Sequence, residues 1–406
     1  MIVLRNLIFL FILLNGIRLN SQELLTSEKL KEILSGKDAK VDYILANADK
    51  FHFQLILTTY SYDTGKIRLT HADINKDQYY FLPASLIKFP VAIVAAEKLS
   101  KLYDIYNITT DDSVALSACF CNQSTANYIN KTRPSSFRQV LRETMILSNN
   151  AGYNLLFDFL GKDTFNFHIR QLGYTHINLR NRFYPSCTEE QQAWFGGIKF
   201  YGPDKRLKYE LPCQRSQHPW YNDSTWPHLA GKRYAADRRL VNGPKNYIDG
   251  NYVSLWDAHQ LMIQLMESEH SEKSNRLTIN QVIKEELVDA LGSYPRELQS
   301  TNYQNEKIPD TYYKFFLDPK TMQTGAGELR IYNKVGIAGG FISDVSFFHD
   351  QVTGLKFFLS GAMMSVENEV IDYRHYNYYD LGIPVFRKIG QLLYEYLLNS
   401  LPDDTN

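Results

Sequence analysis

The 406-residue chain carries 44 basic and 44 acidic side chains, so no net charge draws it toward nucleic acid or an anionic membrane. Its 28 tyrosines and 23 phenylalanines supply a large core, so folding does not require disulfides. The length exceeds the usual single domain without demanding two.

Arg5 precedes an unbroken apolar run, Leu7 to Leu14, followed by polar Asn15 to Ser21. The run is too short to span a bilayer, which takes about 20 residues, and reads as a signal peptide covering residues 1–21. The remaining residues, 22–406, are expected outside the cytoplasm, periplasmic or extracellular, with no membrane attachment. There Cys119, Cys121, Cys187 and Cys213 can pair in three ways. A Cys187–Cys213 bridge would staple a long irregular stretch. Two loose cysteine pairs without patterned histidines fit zinc poorly, so no metal is expected.

A helix is predicted from Ser27 to Leu34. Phe51 to Thr59 alternates as a strand, with Phe51, Phe53, Leu55 and Leu57 on one face. Asp63-Thr64-Gly65-Lys66 turns it into a second strand, Ile67 to His71. Leu86 to Leu102 is apolar all round and reads as a buried helix, with Ser85 at its N-cap and Pro90 in its opening turns. Helices follow at about 136–146, 151–160 and 254–267. Strands return at 330–335, 341–349 and 355–364, and a last helix runs from about Pro384 to Leu398. Two strands, a helical excursion, three strands and a helix argue α+β. The expected architecture is a five-stranded antiparallel sheet flanked by terminal helices. An inserted all-helical lobe, about 85–328, completes it, with the active site between lobe and sheet. Within the lobe, residues 189–250 change composition and lack periodicity.

Three short stretches carry chemistry. In Ser85-Leu86-Ile87-Lys88 the serine and lysine stand three apart at a helix start and share a face. A serine hydroxyl needs a base, and a lysine serves only if burial or a second cation lowers its pKa. In Ser148-Asn149-Asn150 a serine and a carboxamide two apart can project into one cleft, one to relay a proton, the other to hold Lys88 or a substrate carbonyl. In Lys334-Val335-Gly336 a strand lysine offers charge to an anionic substrate, and Gly336 permits close approach to the strand. The N–H groups of Ile337 and Ser85 can then form an oxyanion hole.

This order resembles the penicillin-recognising serine hydrolases, class A β-lactamases most closely. Ser148-Asn149-Asn150-Ala151-Gly152-Tyr153-Asn154-Leu155-Leu156 is similar to that family's S-D-N-T-A-A-N-L-L run, over a resemblance of roughly residues 26–400. The resemblance implies a β-lactamase/transpeptidase-like fold and an acyl-Ser85 intermediate. Lys88 becomes the base, Ser148 a proton shuttle and Lys334 the partner of a substrate carboxylate. The expected partner is a small β-lactam or a cell-wall peptide, and the expected state a monomer without cofactor.

The chain departs from the pattern in three places. Leu179-Arg180-Asn181-Arg182-Phe183-Tyr184-Pro185 resembles the family's L-D-R-W-E-P stretch, with Tyr184 where the deacylating glutamate belongs. A phenol is a poor general base at neutral pH, so Glu189 and Glu190 are the candidate replacements if the loop is rerouted. Otherwise the acyl-enzyme should persist. Val335 replaces a hydroxyl residue that meets the substrate carboxylate, a loss of about 1.5–3 kcal/mol. Asn149 replaces an aspartate. The aromatics of the insertion, Trp194, Phe195, Trp220, Tyr221, Trp226 and His228, are expected to pack it onto the domain rather than form a stacking surface for glycan or peptide. Beside the leading reading stand a cell-wall D,D-peptidase or esterase and a degenerate fold that binds cell-wall material or β-lactam without turnover.

Overall fold

The computed structural model describes residues 25–401 apart from 64–65, 122, 132–134, 184–186, 218–224, 272–274, 299–307 and 318–328. The expected signal peptide, Tyr184, Trp220 and Tyr221 lie outside the described residues.

Two short helices open the chain, α1 (Ser27–Leu34) and α2 (Ala39–Ala46), capped by Thr26 and Asp38. Five strands follow in two groups: β1 (Gln54–Asp63) and β2 (Lys66–Ile74), then β3 (Leu329–Ala338), β4 (Phe341–Asp350) and β5 (Lys356–Met364). They form one antiparallel sheet in the order β3-β4-β5-β1-β2, so that β3 is an edge strand. Alternation along β1 splits the core in two. Leu55 and Leu57 join Phe51 and Phe53, which lie just before the strand, in a cluster with α1, α2 and the last helix, α10 (Ile383–Asn399). Ile56 faces a larger cluster shared with the lobe. The α+β architecture expected from the sequence is therefore present.

The lobe holds helices α3 (Lys88–Tyr106), α4 (Gln123–Lys131), α5 (Phe137–Ile146), α6 (Asn150–Leu160), α7 (Lys162–Gln171), α8 (Leu255–Met266) and α9 (Gln281–Gly292). It is not all-helical. Ser113–Leu116, Ile198–Tyr201 and Leu207–Leu211 form a three-stranded sheet, and further short ladders run to Val253. Strands of two to five residues are too short for an alternation signal, which is why the stretch read as irregular.

The disulfides are Cys119–Cys213 and Cys121–Cys187. The Cys187–Cys213 bridge considered from sequence is not formed. Instead Cys187 and Cys213 each reach back to one short segment, Cys119 to Cys121, just ahead of α4. Those aromatics that lie among the described residues behave as packing groups. Phe195 is buried, and Trp226 lies against His176 and Tyr252 with ring centroids 4.2 and 5.7 Å away. His228 bonds the Trp226 carbonyl, and Trp194 rests on Phe120.

Candidate active site

Ser85 does not cap the long helix. The chain leaves Pro83 through Ala84 at φ +46° and enters a 3-10 turn, Ala84–Ile87, whose Leu86 N–H donates to the Pro83 carbonyl at 2.8 Å. A left-handed alanine is costly and persists only where its surroundings over-determine it. Here they do: Ala84, Leu86 and Ile87 are buried, and β3 packs against the turn. The helix α3 then begins at Lys88. Pro90 is its third residue, where a missing N–H is harmless.

Lys88 is fully buried. Its Nζ lies 2.9 Å from Ser85 Oγ, 2.5 Å from the Ser148 carbonyl oxygen, 3.1 Å from Ser148 Oγ and 2.6 Å from Asn150 Oδ1. The ring of Phe183 lies 5.0 Å away. Burial first, and then the charge of Lys334, holds its pKa well below the ordinary lysine value. An ammonium offers three donors and no acceptor. The cage can also hold the neutral amine that a base requires. Its two hydrogens go to the carbonyl oxygens of Ser148 and Asn150, the nearest pair, and neither of those can give a proton back. Its lone pair is left for a serine hydroxyl.

Ser148 sits between α5 and α6 at φ +55°, a conformation that turns both its carbonyl and its hydroxyl toward Lys88. Its Oγ also receives a hydrogen bond from Lys334 Nζ at 2.9 Å, so the hydroxyl stands between two amines. Asn149 points the other way. Its Oδ1 accepts from Ala151 and Gly152 N–H as the N-cap of α6, and its Nδ2 donates to Tyr128 Oη and Glu143 Oε2. The amide in place of an aspartate is thus matched to a neighbouring carboxylate.

Lys334 is buried on β3, 5.6 Å from the ring of Tyr313, and burial lowers its pKa to about 7. Asp344 opposes that shift and Lys314 adds to it. Asp344 is itself buried, with its pKa raised to about 6, and is held by Asn333, Ser346 and the Phe315 N–H. Val335 packs into the core between sheet and terminal helices, so this position presents no hydroxyl. A Cβ on Gly336 would lie 2.2 Å from the Pro83 carbonyl oxygen. The close approach Gly336 permits is thus to the turn that carries Ser85. Ile337, the next residue, is half-buried and pairs with Ile342.

The stretch 179–183 reaches the site on side-chain amides rather than on a strand ladder. Asn166 pairs with the N–H and carbonyl of Leu179, Asn154 with those of Phe183, and Asn251 accepts from the N–H groups of Arg180 and Asn181. The buried Arg182–Asp158 pair pins its base. The loop does not present Glu189 and Glu190 to the nucleophile as proposed bases. They start an exposed single turn, Glu189–Gln192, and pair with Arg180 and Arg215. Neither is among the hydrogen-bond partners of Ser85, Lys88, Ser148 or Asn150.

Sequence reasoning missed Phe183, Tyr313, Asp344 and the three asparagine clamps. Asn154 and Phe183 lay within recognisable runs but carried no assigned role; the others are joined to the site only by the fold. Among the described residues no group of three or more His, Cys, Asp or Glu is placed to hold a metal ion. No described helix is long and apolar enough to cross a membrane.

A buried lysine against a turn-borne serine, a second amine and a serine between them define a serine hydrolase site of the β-lactamase type. The sequence agrees: the model of the β-lactamase enzyme family matches residues 38–397, and the chain belongs to that family. No curated protein matches it. Solved structures similar to it include a PBP-A variant as its acyl-enzyme complex with penicillin G. That structure is 14% identical, over 92% of this chain and 98% of that one, with a TM-score of 0.49. Others are β-lactamases from Sphaerobacter thermophilus and Burkholderia ambifaria. The first is 13% identical, over 90% of this chain and 97% of that one, with a TM-score of 0.46. The second is 12% identical, over 88% and 98%, with a TM-score of 0.49.

Proposed function

We propose that the protein is a serine hydrolase acting outside the cytoplasm, in which Ser85 is acylated by a β-lactam or a related carboxylate-bearing amide. The observation that carries this reading is the 2.9 Å contact between Ser85 Oγ and a buried Lys88 Nζ that pairs with no carboxylate among the described residues. Lys88 takes the Ser85 proton as the hydroxyl attacks the carbonyl carbon. The oxyanion is received by the N–H groups of Ser85 and Ile337. The proton returns to the leaving nitrogen through Ser148 Oγ, which touches both amines. Lys334 draws the substrate carboxylate. Two disulfides support an oxidising compartment, with residues 1–21 as the export signal.

Acylation then outpaces deacylation, because Tyr184 stands where a glutamate would activate water and both Glu189 and Glu190 are occupied by arginines. Intact mass measured after brief exposure to a penicillin tests this. The wild type should keep an adduct equal to the drug's mass, and Ser85→Ala should keep none. Tyr184→Glu should shorten the adduct's life by at least tenfold. Drug consumed with no adduct on the wild type would overturn the slow-deacylation reading. Intact drug with no adduct would remove β-lactams as substrates.

A further inference from the structure

The insertion contributes one feature that acyl transfer does not use. Arg233–Ala236 and Arg239–Asn242 form a thin hairpin whose inner strand pairs in parallel with Val370–Ile371, Arg233 opposite Val370 and Tyr234 opposite Ile371. Its turn is a two-residue loop, Asp237-Arg238, with φ of +46° and +62°. Loops of this kind favour Asn-Gly, since only small or glycine residues take both positive φ values cheaply. An arginine is kept here at a position where glycine would be less strained.

The two hairpin strands are cationic, while the segment that the inner one pairs with carries Glu367, Glu369 and Asp372, of which Glu369 pairs with Lys232 and Asp372 with Arg374. Residues 231–246 hold five basic side chains and one acid, Asp237. Lys232 pairs with Glu369, and Lys245 lies over the Tyr247 ring. Arg233, Arg238 and Arg239 are exposed and make no ion pair among the described residues. Parallel pairing carries the chain beyond Ile371 toward the hairpin tip, which brings Tyr373, 80% exposed, to the same end. Leu240 on the outer strand is 48% exposed.

The ribbon is also linked to the strand of Lys334. Gly340 closes the turn after β3, the strand of Lys334. Its carbonyl accepts from Ser365 N–H at 2.6 Å, and its N–H donates to Tyr378 Oη at 2.6 Å. The segment so anchored, 365–378, includes the strand that pairs with the hairpin. The hairpin is thus tied, through this segment, to the end of the strand that carries Lys334.

We propose that this hairpin is a docking arm for an anionic cell-wall polymer, the carboxylate-bearing peptide strands of peptidoglycan. The inference rests on the reading above, in which the protein acts outside the cytoplasm and Lys334 receives a carboxylate. The arm extends the same preference to a polymer: guanidinium groups pair carboxylates in a fork geometry, and the exposed tyrosine offers a ring face to sugar.

Co-sedimentation with purified insoluble peptidoglycan tests the arm. The wild type should pellet at low ionic strength and be released by 1 M salt, where the screening length falls to about 3 Å. The variant Arg233→Ser/Arg238→Gly/Arg239→Ser should bind about a hundredfold more weakly, taking the contribution usual for basic side chains at an anionic surface. Its thermal midpoint should not fall, because glycine relieves the turn. Its penicillin adduct at Ser85 should form at the wild-type rate. Equal pelleting of variant and wild type would overturn the proposal. So would no pelleting of the wild type, or binding to phosphatidylglycerol vesicles but not to peptidoglycan. The same preparations separate the two readings. Salt-sensitive pelleting with no Ser85 adduct and the drug left intact supports the arm while removing β-lactams as substrates; an adduct without pelleting removes the arm alone.

Discussion

Gly336→Ala tests whether the spacing between β3 and the Ser85 turn controls acylation. The added Cβ would lie 2.2 Å from the Pro83 carbonyl oxygen and 2.7 Å from Ser343 Oγ. Ordinary carbon contacts lie near 3.5 Å, so the strand must retreat by about 1 Å from the turn that holds the nucleophile. Backbone on one side and a buried residue of β4 on the other leave little room to yield. Lys334 and Ile337 move with the strand, and displacement of that size typically costs about 10²-fold in rate. Overpacking should also remove about 1–3 kcal/mol of stability. The control is Gly390→Ala on α10, whose Cβ would meet the Phe316 carbonyl oxygen at 2.1 Å in the core beyond the opposite face of the sheet. Both variants should lose stability in thermal unfolding. Only Gly336→Ala should slow formation of the penicillin adduct, followed by mass after rapid quenching. A folded Gly336→Ala protein that acylates at the wild-type rate would refute the argument.

Lys334 titrates near pH 7. Its ammonium is therefore present below that pH and lost above it, so the acylation efficiency of a carboxylate-bearing penicillin should fall as pH rises through 7. An amide or ester without the carboxylate should show no such limb when the two profiles are compared. Asn149→Asp keeps the cap on α6 but sets a carboxylate against Glu143 and removes a donor, and should cost about 1–3 kcal/mol at pH 8 in denaturant unfolding. The pKa of Glu143 is raised by burial, so lowering the pH protonates it and the deficit should shrink. Removing the Cys121–Cys187 bridge by Cys121→Ser/Cys187→Ser frees a 66-residue span and should cost about 2–4 kcal/mol. It should also loosen the loop beside Phe183, seen as a changed adduct lifetime.

The parts of the site legible in the sequence are those whose geometry is local. Ser85 and Lys88 are three residues apart, and any helical turn brings them together. Ser148 and Asn150 flank a single helix start. The sheet was legible because alternation in Phe51 to Leu57 and the runs at 341–364 survive burial on both faces. What escaped was set by long-range contact. Asp344 tunes Lys334 across a strand pair, and Asn251 holds Arg180 from 71 residues away. Neither has a local pattern. The cysteine pairing followed the same rule: the choice between Cys187–Cys213 and the two observed bridges depends on where Cys119 and Cys121 fall in space. The loop with Tyr184 is the decisive case. Its motif is readable, but nearness in sequence does not place Glu189 and Glu190 at the nucleophile, and the fold turns both outward to arginines. A glutamate near in sequence is no substitute for one held by Asn154 and Asn166. The clamps that would aim such a base are intact, and they deliver Phe183 to Lys88. On the reading proposed above, in which Tyr184 stands in place of the base, Tyr184→Glu is the substitution expected to shorten the adduct's life most.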